Sequence, residues 1–519
     1  MIAAGDQGDK VMPAERAIAM VRPGSTLGVG GAGGVQEPDL LIETLARRFR
    51  ETGEPGRLTE FHAIRCGEID GRGTSLFGAE GFVSRMYGGS FWPAGTPALV
   101  RQIHQNRMAA WNFSIGVMYG LLEAAAAGRP GLLTEVGLDT FVDPLQSGGA
   151  LNEAAAREPA VERVTVGGRP MLFYRTVPID VAFIRGTTAD PCGNVTMEEE
   201  PANCGALALA QAAKANGGRV VVQVKRLAPR GALDPHLVRV PGILVDAVVL
   251  SPVQRQTTHV EFDPTLVGAA RLPLEAVPIP PMSADKVILR RALLEARPGE
   301  TLAIGFGAPG FIPAIAVEEG VFDRVTFSVE HGVIGGINGY ACGGRTFPCA
   351  HNPEAIIDAA DQLRFFAGGG LDRAFLGVGE VDGQGNVNVS RFGDRIPGAG
   401  GFIDMTQGTR DVVFCIRLGD RGRRKFVPRV EQVTFSGPRA LREGQNILYI
   451  TEKAVFRLRP EGLVLTEIRE GLDPRRDVLD LIGAEVRVAS DLIPMPDICF
   501  RDAPMGLADL WTTEEKEKT

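Results

Sequence analysis

Cysteine is scarce in this chain and never paired in sequence. The 519 residues hold seven, Cys66, Cys192, Cys204, Cys342, Cys349, Cys415 and Cys499, an odd number with no C-x-x-C spacing. That excludes a disulfide framework and a zinc knuckle. Cys342, Cys349 and His351 lie close together but without ligand spacing, so no metal is expected. Long apolar runs are missing too: nothing reaches the roughly 18 residues of a membrane span. The start, Met1 to Lys10, has no cationic stretch leading into an apolar one, so a cytoplasmic protein is expected, with no membrane partner. Net charge is −8 and no basic block is long enough to follow a phosphate backbone, so no nucleic acid partner is expected. What remains is an ordinary globular composition, 44% hydrophobic and 23% charged, at a length that suits two or more cored domains.

The organising feature is an internal repeat. Arg22-Pro23-Gly24-Ser25-Thr26-Leu27 returns 275 residues later as Arg297-Pro298-Gly299-Glu300-Thr301-Leu302, and Gly30 matches Gly305 at the same spacing. A second block, Asp180-Val181-Ala182-Phe183 running on to Asp190-Pro191-Cys192-Gly193-Asn194-Val195, returns 192 residues later as Asp372-Arg373-Ala374-Phe375 running on to Asp382-Gly383-Gln384-Gly385-Asn386-Val387. The first half therefore holds an insertion of 83 residues between matching blocks. Repeats this long point to two related domains rather than a solenoid. The proline-rich stretch Leu272 to Pro281 reads as an extended linker, which divides the chain into residues 1–283 and 284–519. Each half opens with a helix, a strand, a glycine-rich turn and a second helix. Short β-branched or aromatic runs, Arg219 to Val224 and Asp411 to Ile416, read as buried parallel strands. The fold class is α/β, two tandem, duplicated open α/β domains, with sites expected at strand C-terminal ends.

Glu330 is the leading catalytic candidate. In Thr326-Phe327-Ser328-Val329-Glu330-His331-Gly332-Val333-Ile334-Gly335-Gly336 an apolar strand delivers one acid into a glycine-rich turn, where a substrate carbonyl can come close. The blander reading is a strand-end carboxylate that accepts hydrogen bonds from the next loop. Gly28-Val29-Gly30-Gly31-Ala32-Gly33 satisfies the dinucleotide pattern G-x-G-x-x-G, but in a chain with 66 glycines the match is weak. The following strand, Leu58 to Ile64, ends without an acid for a ribose. The second half abandons the pattern at Gly305-Phe306-Gly307-Ala308-Pro309-Gly310. No nicotinamide or flavin is expected.

The run Ser328 to Gly335 resembles the nucleophile motif of the class I coenzyme A transferases, the acetate or propionate type with both domains fused. Gly368-Gly369-Gly370-Leu371-Asp372, the block from Asp382 to Val389, and Gly398-Ala399-Gly400-Gly401-Phe402-Ile403-Asp404 look like further signatures of that family. So do Val136 to Pro144 and Arg185 to Asp190 with Gly193-Asn194, and the likeness spans about residues 14 to 460. What the resemblance implies is an active site between the two domains, in which Glu330 attacks an acyl-CoA, carries CoA as a glutamyl thioester and passes it to a carboxylate acceptor by a ping-pong route. It implies Ala399, Gly400 and Gly401 as the oxyanion loop. Gly33, Gly34, Ile115, Gly305, Gly307, Gly335, Gly377 and Asn386 become the candidate substrate or CoA contacts. No metal or redox cofactor is implied, coenzyme A being a substrate, and a homodimer or tetramer is the expected assembly.

Four departures from the family pattern stand out. The loop Gly33-Gly34-Val35-Gln36-Glu37-Pro38 is short, Ile115 stands where glutamine is common, and Ile416 to Arg421 replaces small residues and threonine. Arg417 or Arg421 is a candidate for an extra substrate carboxylate, against the reading of ordinary surface arginines. His331 follows the nucleophile and reads either as a tuning group or as a solvated loop histidine. Two other functions fit the same residues: an acyl-CoA hydrolase using Glu330, and a noncatalytic acyl-CoA binding protein.

Overall fold

The computed structural model describes residues 9–67, 71–91, 96–339, 348–419 and 422–518. Two sheets organise them. The first runs Ala247–Leu250, Arg219–Leu227, Val181–Ala189, Thr26–Val29, Leu58–His62, Val83–Gly88, Ala109–Asn112, all parallel, with Val195–Thr196 paired antiparallel to Val181–Ala189. The second repeats the same parallel order over Asn446–Ile450, Asp411–Cys415, Arg373–Gly377, Thr301–Ile304 and Thr326–Ser328. Val220, Val221, Val222 and Val224 are fully buried, as a parallel strand covered on both faces requires.

The repeat read from sequence is a repeat of register. Leu27 pairs with Val181 as Leu302 pairs with Arg373, and Val181 pairs with Arg219 as Arg373 pairs with Asp411. The halves part after the second strand of each. The first continues into two more parallel strands and a separate three-stranded antiparallel sheet of Gly131–Thr134, Arg169–Arg175 and Val161–Val166, the content of the insertion. The second folds straight back, with Val333–Ile334 antiparallel to Thr326–Ser328.

Alternation along the strands then builds the cores. Leu302, Ile304, Phe327 and Phe375 face an outer core with the helix Ala284–Leu293, while Ala303, Ala374, Leu376 and Val412 face the opposite side. That inner side is shared: one cluster holds these residues together with Ile115, Tyr119, Ala182 and Ile184 of the first half. The proline-rich segment before residue 283 packs on the second half. The Asn352 side chain accepts from Leu272 N (2.7 Å) and donates to Leu272 O (2.8 Å), and Val277 is buried with Ala314 and Ile337. Gly28 and Gly30 serve packing: an added Cβ would lie 2.5 Å from Leu209 Cδ1 at Gly28 and 3.6 Å from Leu209 Cδ2 at Gly30. Among the described residues no helix is long and apolar enough to cross a membrane.

Candidate active site at the junction of the halves

Ser328 pairs with Ala303, whose side chain belongs to the shared core, so Glu330, two residues on, continues on the side facing the first half. The chain turns sharply there. His331 and Gly332 both take left-handed φ, 73° and 89°, and a Cβ on Gly332 would lie 2.0 Å from Ile357 O, so only glycine fits. This turn holds Glu330 with its side chain 11% exposed. Its Oε1 lies 2.5 Å from where a Cβ on Gly401 would stand, so the carboxyl rests against bare backbone. Burial, with the Asp404 charge adding to it, pushes the Glu330 carboxyl up to about 7.

The loop that meets it belongs to the second half but is held by the first. Ala399 N donates to Asn112 Oδ1 (2.8 Å), Gly400 N to Gly89 O (2.8 Å), and Ile115 N to Gly400 O (3.0 Å). Asp404 completes the tie. Its Oδ1 accepts from Ser114 Oγ (2.9 Å) and its Oδ2 from Gly116 N (3.0 Å), at the start of the helix Ile115–Ala126. Burial raises Asp404 to about 7 despite these donors. Of the three N–H groups singled out for an oxyanion, those of Ala399 and Gly400 are therefore engaged across the domain junction. The N–H of Gly401 has no partner among the described residues.

The other singled-out residues divide. Gly305 follows the strand beside that of Glu330, and Gly377 ends the strand one further over; a Cβ would meet Leu376 Cδ2 at 2.8 Å in the first case and Phe306 O at 3.3 Å in the second. Gly307 has φ 90° and open space around it. Ile115 is 3% exposed and donates its backbone N–H to Gly400 O. Gly33 and Gly34 are tied within the first half, Gly33 N to Arg65 O and Gly34 N to the Glu37 carboxylate. Gly335 N donates to Phe327 O (2.7 Å) within its own hairpin. Asn386 is a loop brace: its N and Nδ2 donate to the Asp382 carboxylate and its Oδ1 accepts from Gly437 N. Asn194 makes the same bonds to Asp190 and Gly242 in the first half.

Two readings of side residues change. His331 is not solvated: it is 3% exposed, burial drives its imidazole down to about 3, and it stands uncharged with Nδ1 3.9 Å from Glu330 Oε2. Arg417 pairs with Asp285 (3.1 Å) on the surface, while Arg421 and Cys342 lie outside the described residues. His351 Nδ1 hydrogen-bonds Thr265 Oγ1, and among the described residues no three His, Cys, Asp or Glu side chains group to hold a metal. Sequence reasoning gave Asn112, Asp404 and Gln362 no role. Gln362 had a readable signal, since it is the polar side chain on the buried face Ala359, Ala360, Leu363, Phe366 of its helix. A cleft of about 280 Å³ lined by Glu135, Gln407, Thr409, Arg410 and Arg439 opens at the far end of the helix Phe402–Gly408. Seven residues at about 1.5 Å rise put it on the order of 10 Å from Gly401, so it is not the space around Glu330.

Residues 11–251 match the Coenzyme A transferase family. The caffeate CoA-transferase of Acetobacterium woodii is 38% identical over 96% of this chain and 98% of that protein. This chain belongs to the coenzyme A transferase family. The acetate CoA-transferase YdiF of Escherichia coli K12 is 36% identical over 96% of both proteins. The crystal structure of the YdiF apoenzyme from Escherichia coli O157:H7 superimposes with a TM-score of 0.90 at 36% identity, covering 96% of this chain and 98% of that one. The same protein in a thioester complex with CoA gives a TM-score of 0.89. The protein is an enzyme, a CoA-transferase, with the tandem α/β architecture of that relative.

Proposed function

We propose that this CoA-transferase moves CoA from a short-chain acyl-CoA to a carboxylate acceptor by a ping-pong route on Glu330. The observation that carries the reading is the Glu330 carboxyl, mostly buried at the junction of the halves and pressed against the Gly401 backbone. A desolvated carboxylate of raised basicity is a better nucleophile than one in water. It attacks the acyl-CoA carbonyl, forming a glutamyl-acyl anhydride as the C–S bond breaks and CoA leaves as thiolate. The thiolate then attacks the glutamyl carbonyl, giving a thioester on Glu330 and releasing the acyl group as carboxylate. The incoming carboxylate reverses both steps. Each attack places negative charge on a carbonyl oxygen, and the Gly401 N–H, which has no partner among the described residues, is the donor assigned to meet it, worth a few kcal/mol in a site of low polarity. Ala399 and Gly400 hold the loop in place through Asn112 and Gly89.

The test is mass spectrometry of the peptide containing Glu330 after incubation with an acyl-CoA and no acceptor. A CoA adduct on Glu330 that disappears when a carboxylate is added, with a new acyl-CoA formed, supports the reading. Loss of the adduct to water at the same rate with and without acceptor makes the protein a hydrolase. An unlabelled Glu330 in active enzyme removes the mechanism altogether.

A further inference from the structure

The turn that projects Glu330 is unusual for the fold. The first half runs through the equivalent positions, Ile64 and Arg65, without a left-handed residue, whereas the second places His331 and Gly332 there in succession. A histidine in that region costs on the order of 1 kcal/mol, so the turn needs an external hold. One side chain supplies it. Gln362, fully buried on the helix Ala359–Ala367, donates through Nε2 to Val329 O (2.8 Å), Val333 O (3.0 Å) and Ser328 Oγ (3.1 Å), and its Oε1 accepts from Gly332 N (2.7 Å). These four contacts bracket Glu330 on both sides. The corresponding segment of the first half is held by other groups: the Glu37 carboxylate accepts from Gly34 N and Gly67 N, and Thr74 Oγ1 accepts from Cys66 N (2.9 Å).

We propose that Gln362 is the positioning residue for the nucleophile, clamping the turn so that the Glu330 carboxyl stays against Gly401 and out of water. This rests on the covalent role of Glu330. The sheet itself does not require the clamp, because the same five-strand register forms in the first half without one. What the clamp secures is the projection of one acid.

The experiment uses the full-length enzyme and Gln362→Met, which keeps the side-chain length and removes every polar contact. Expected are a fall in kcat of about 10- to 100-fold, a matching fall in the rate of CoA adduct formation on Glu330, and a KM for acyl-CoA within about 3-fold of the original. The pH midpoint of kcat/KM should move down from near 7 as the carboxyl gains water, with Asp404 and His331, the titratable groups beside it, unchanged. A lowered Tm with kcat, adduct rate and pH midpoint unchanged per folded molecule makes Gln362 a brace of the fold only and overturns the proposal. If Gln362→Met does not fold, Gln362→Asn carries the test: it keeps an amide one carbon shorter, so an adduct rate equal to the unmodified enzyme overturns the proposal and a slower one supports it. Failure of the unmodified enzyme to label at Glu330 is a separate outcome, and counts against the covalent mechanism instead.

Discussion

At the strand ends of the second half stand Glu330, Gly305 and Gly377, one acid and two residues without side chains; at the equivalent strand ends of the first half stand Ala63, Gly30 and Arg185. The equivalence is fixed by pairing, since Arg185 lies beside Gln223 as Gly377 lies beside Cys415. Arg185 is 5% exposed, and its guanidinium donates to Glu200 Oε1 (3.0 Å), to Glu37 O (3.3 Å) and to Arg255 O. The side chain thus occupies, with three partners, the position that the other half gives to a glycine. Duplicating the fold did not duplicate the site: the first half lacks the acid and the left-handed turn at Ile64 and Arg65, and it has an arginine where the second half has Gly377. The lesson is that a shared strand register does not by itself make a site; what stands at the strand ends does.

The comparison can be broken at its strongest point first. Glu330→Gln should lower kcat by at least about 10³-fold in a steady-state acyl exchange assay, with the protein folded. Next, Gly377→Arg puts the first half's plug into the second. It should lower the rate of CoA adduct formation by about 10²-fold or more while leaving Glu330 ionisable, and normal labelling would mean that substrate does not approach Gly377. The reverse change, Arg185→Gly, leaves the Glu200 carboxylate buried without its partner. Urea unfolding should show a loss of about 3–5 kcal/mol, with kcat per folded molecule retained.

A fourth measurement uses pH. The Glu330 carboxyl is raised from 4.5 to about 7, and the nucleophile is the ionised form, so kcat/KM should rise with pH through about 7. Stability moves the other way. A carboxyl with a folded pKa above its unfolded value contributes stability that is full below pH 4.5 and is lost as pH rises through about 7. Glu330→Gln should therefore match the parent at pH 4 and exceed it by about 2–3 kcal/mol at pH 8 in denaturant titrations. Equal stability at both pH values would mean that the acid is hydrated. The smallest effect sharpens the likeness instead of the difference: Asn194→Ala and Asn386→Ala should each cost about 1–2 kcal/mol, because both amides brace the same loop. A rise in KM for acyl-CoA in the Asn386 variant alone would restore it as a substrate contact.

Much of this was legible in the sequence. The two repeated blocks carried the strand register, because residues facing both layers of a parallel sheet tolerate little change of size. Glu330 stood out as an acid after an apolar strand. The uses of the loops were harder to read. Nothing local in Gly398-Ala399-Gly400-Gly401 tells that two of its N–H groups are taken by Asn112 and Gly89, nearly 300 residues earlier in the chain. Arg185 reads as a family signature, yet whether it faces a ligand or plugs a hole depends on Glu200 and two carbonyls brought from elsewhere. His331 looked like a loop residue because it follows a strand end among glycines; the fold-back against Ala355–Ile356 is what covers it.

The ties made by Asn112, Gly89, Ser114 and Gly116 cross from one half to the other within a few residues of the reacting carboxyl. Alignment of the Glu330 carboxyl with the Gly398-Ala399-Gly400-Gly401 loop is thus a matter of docking, and the peptide near residue 283 adds to it by keeping the halves at high local concentration. Severed there, the chain becomes a heterodimer whose turnover per site falls on dilution and returns on mixing.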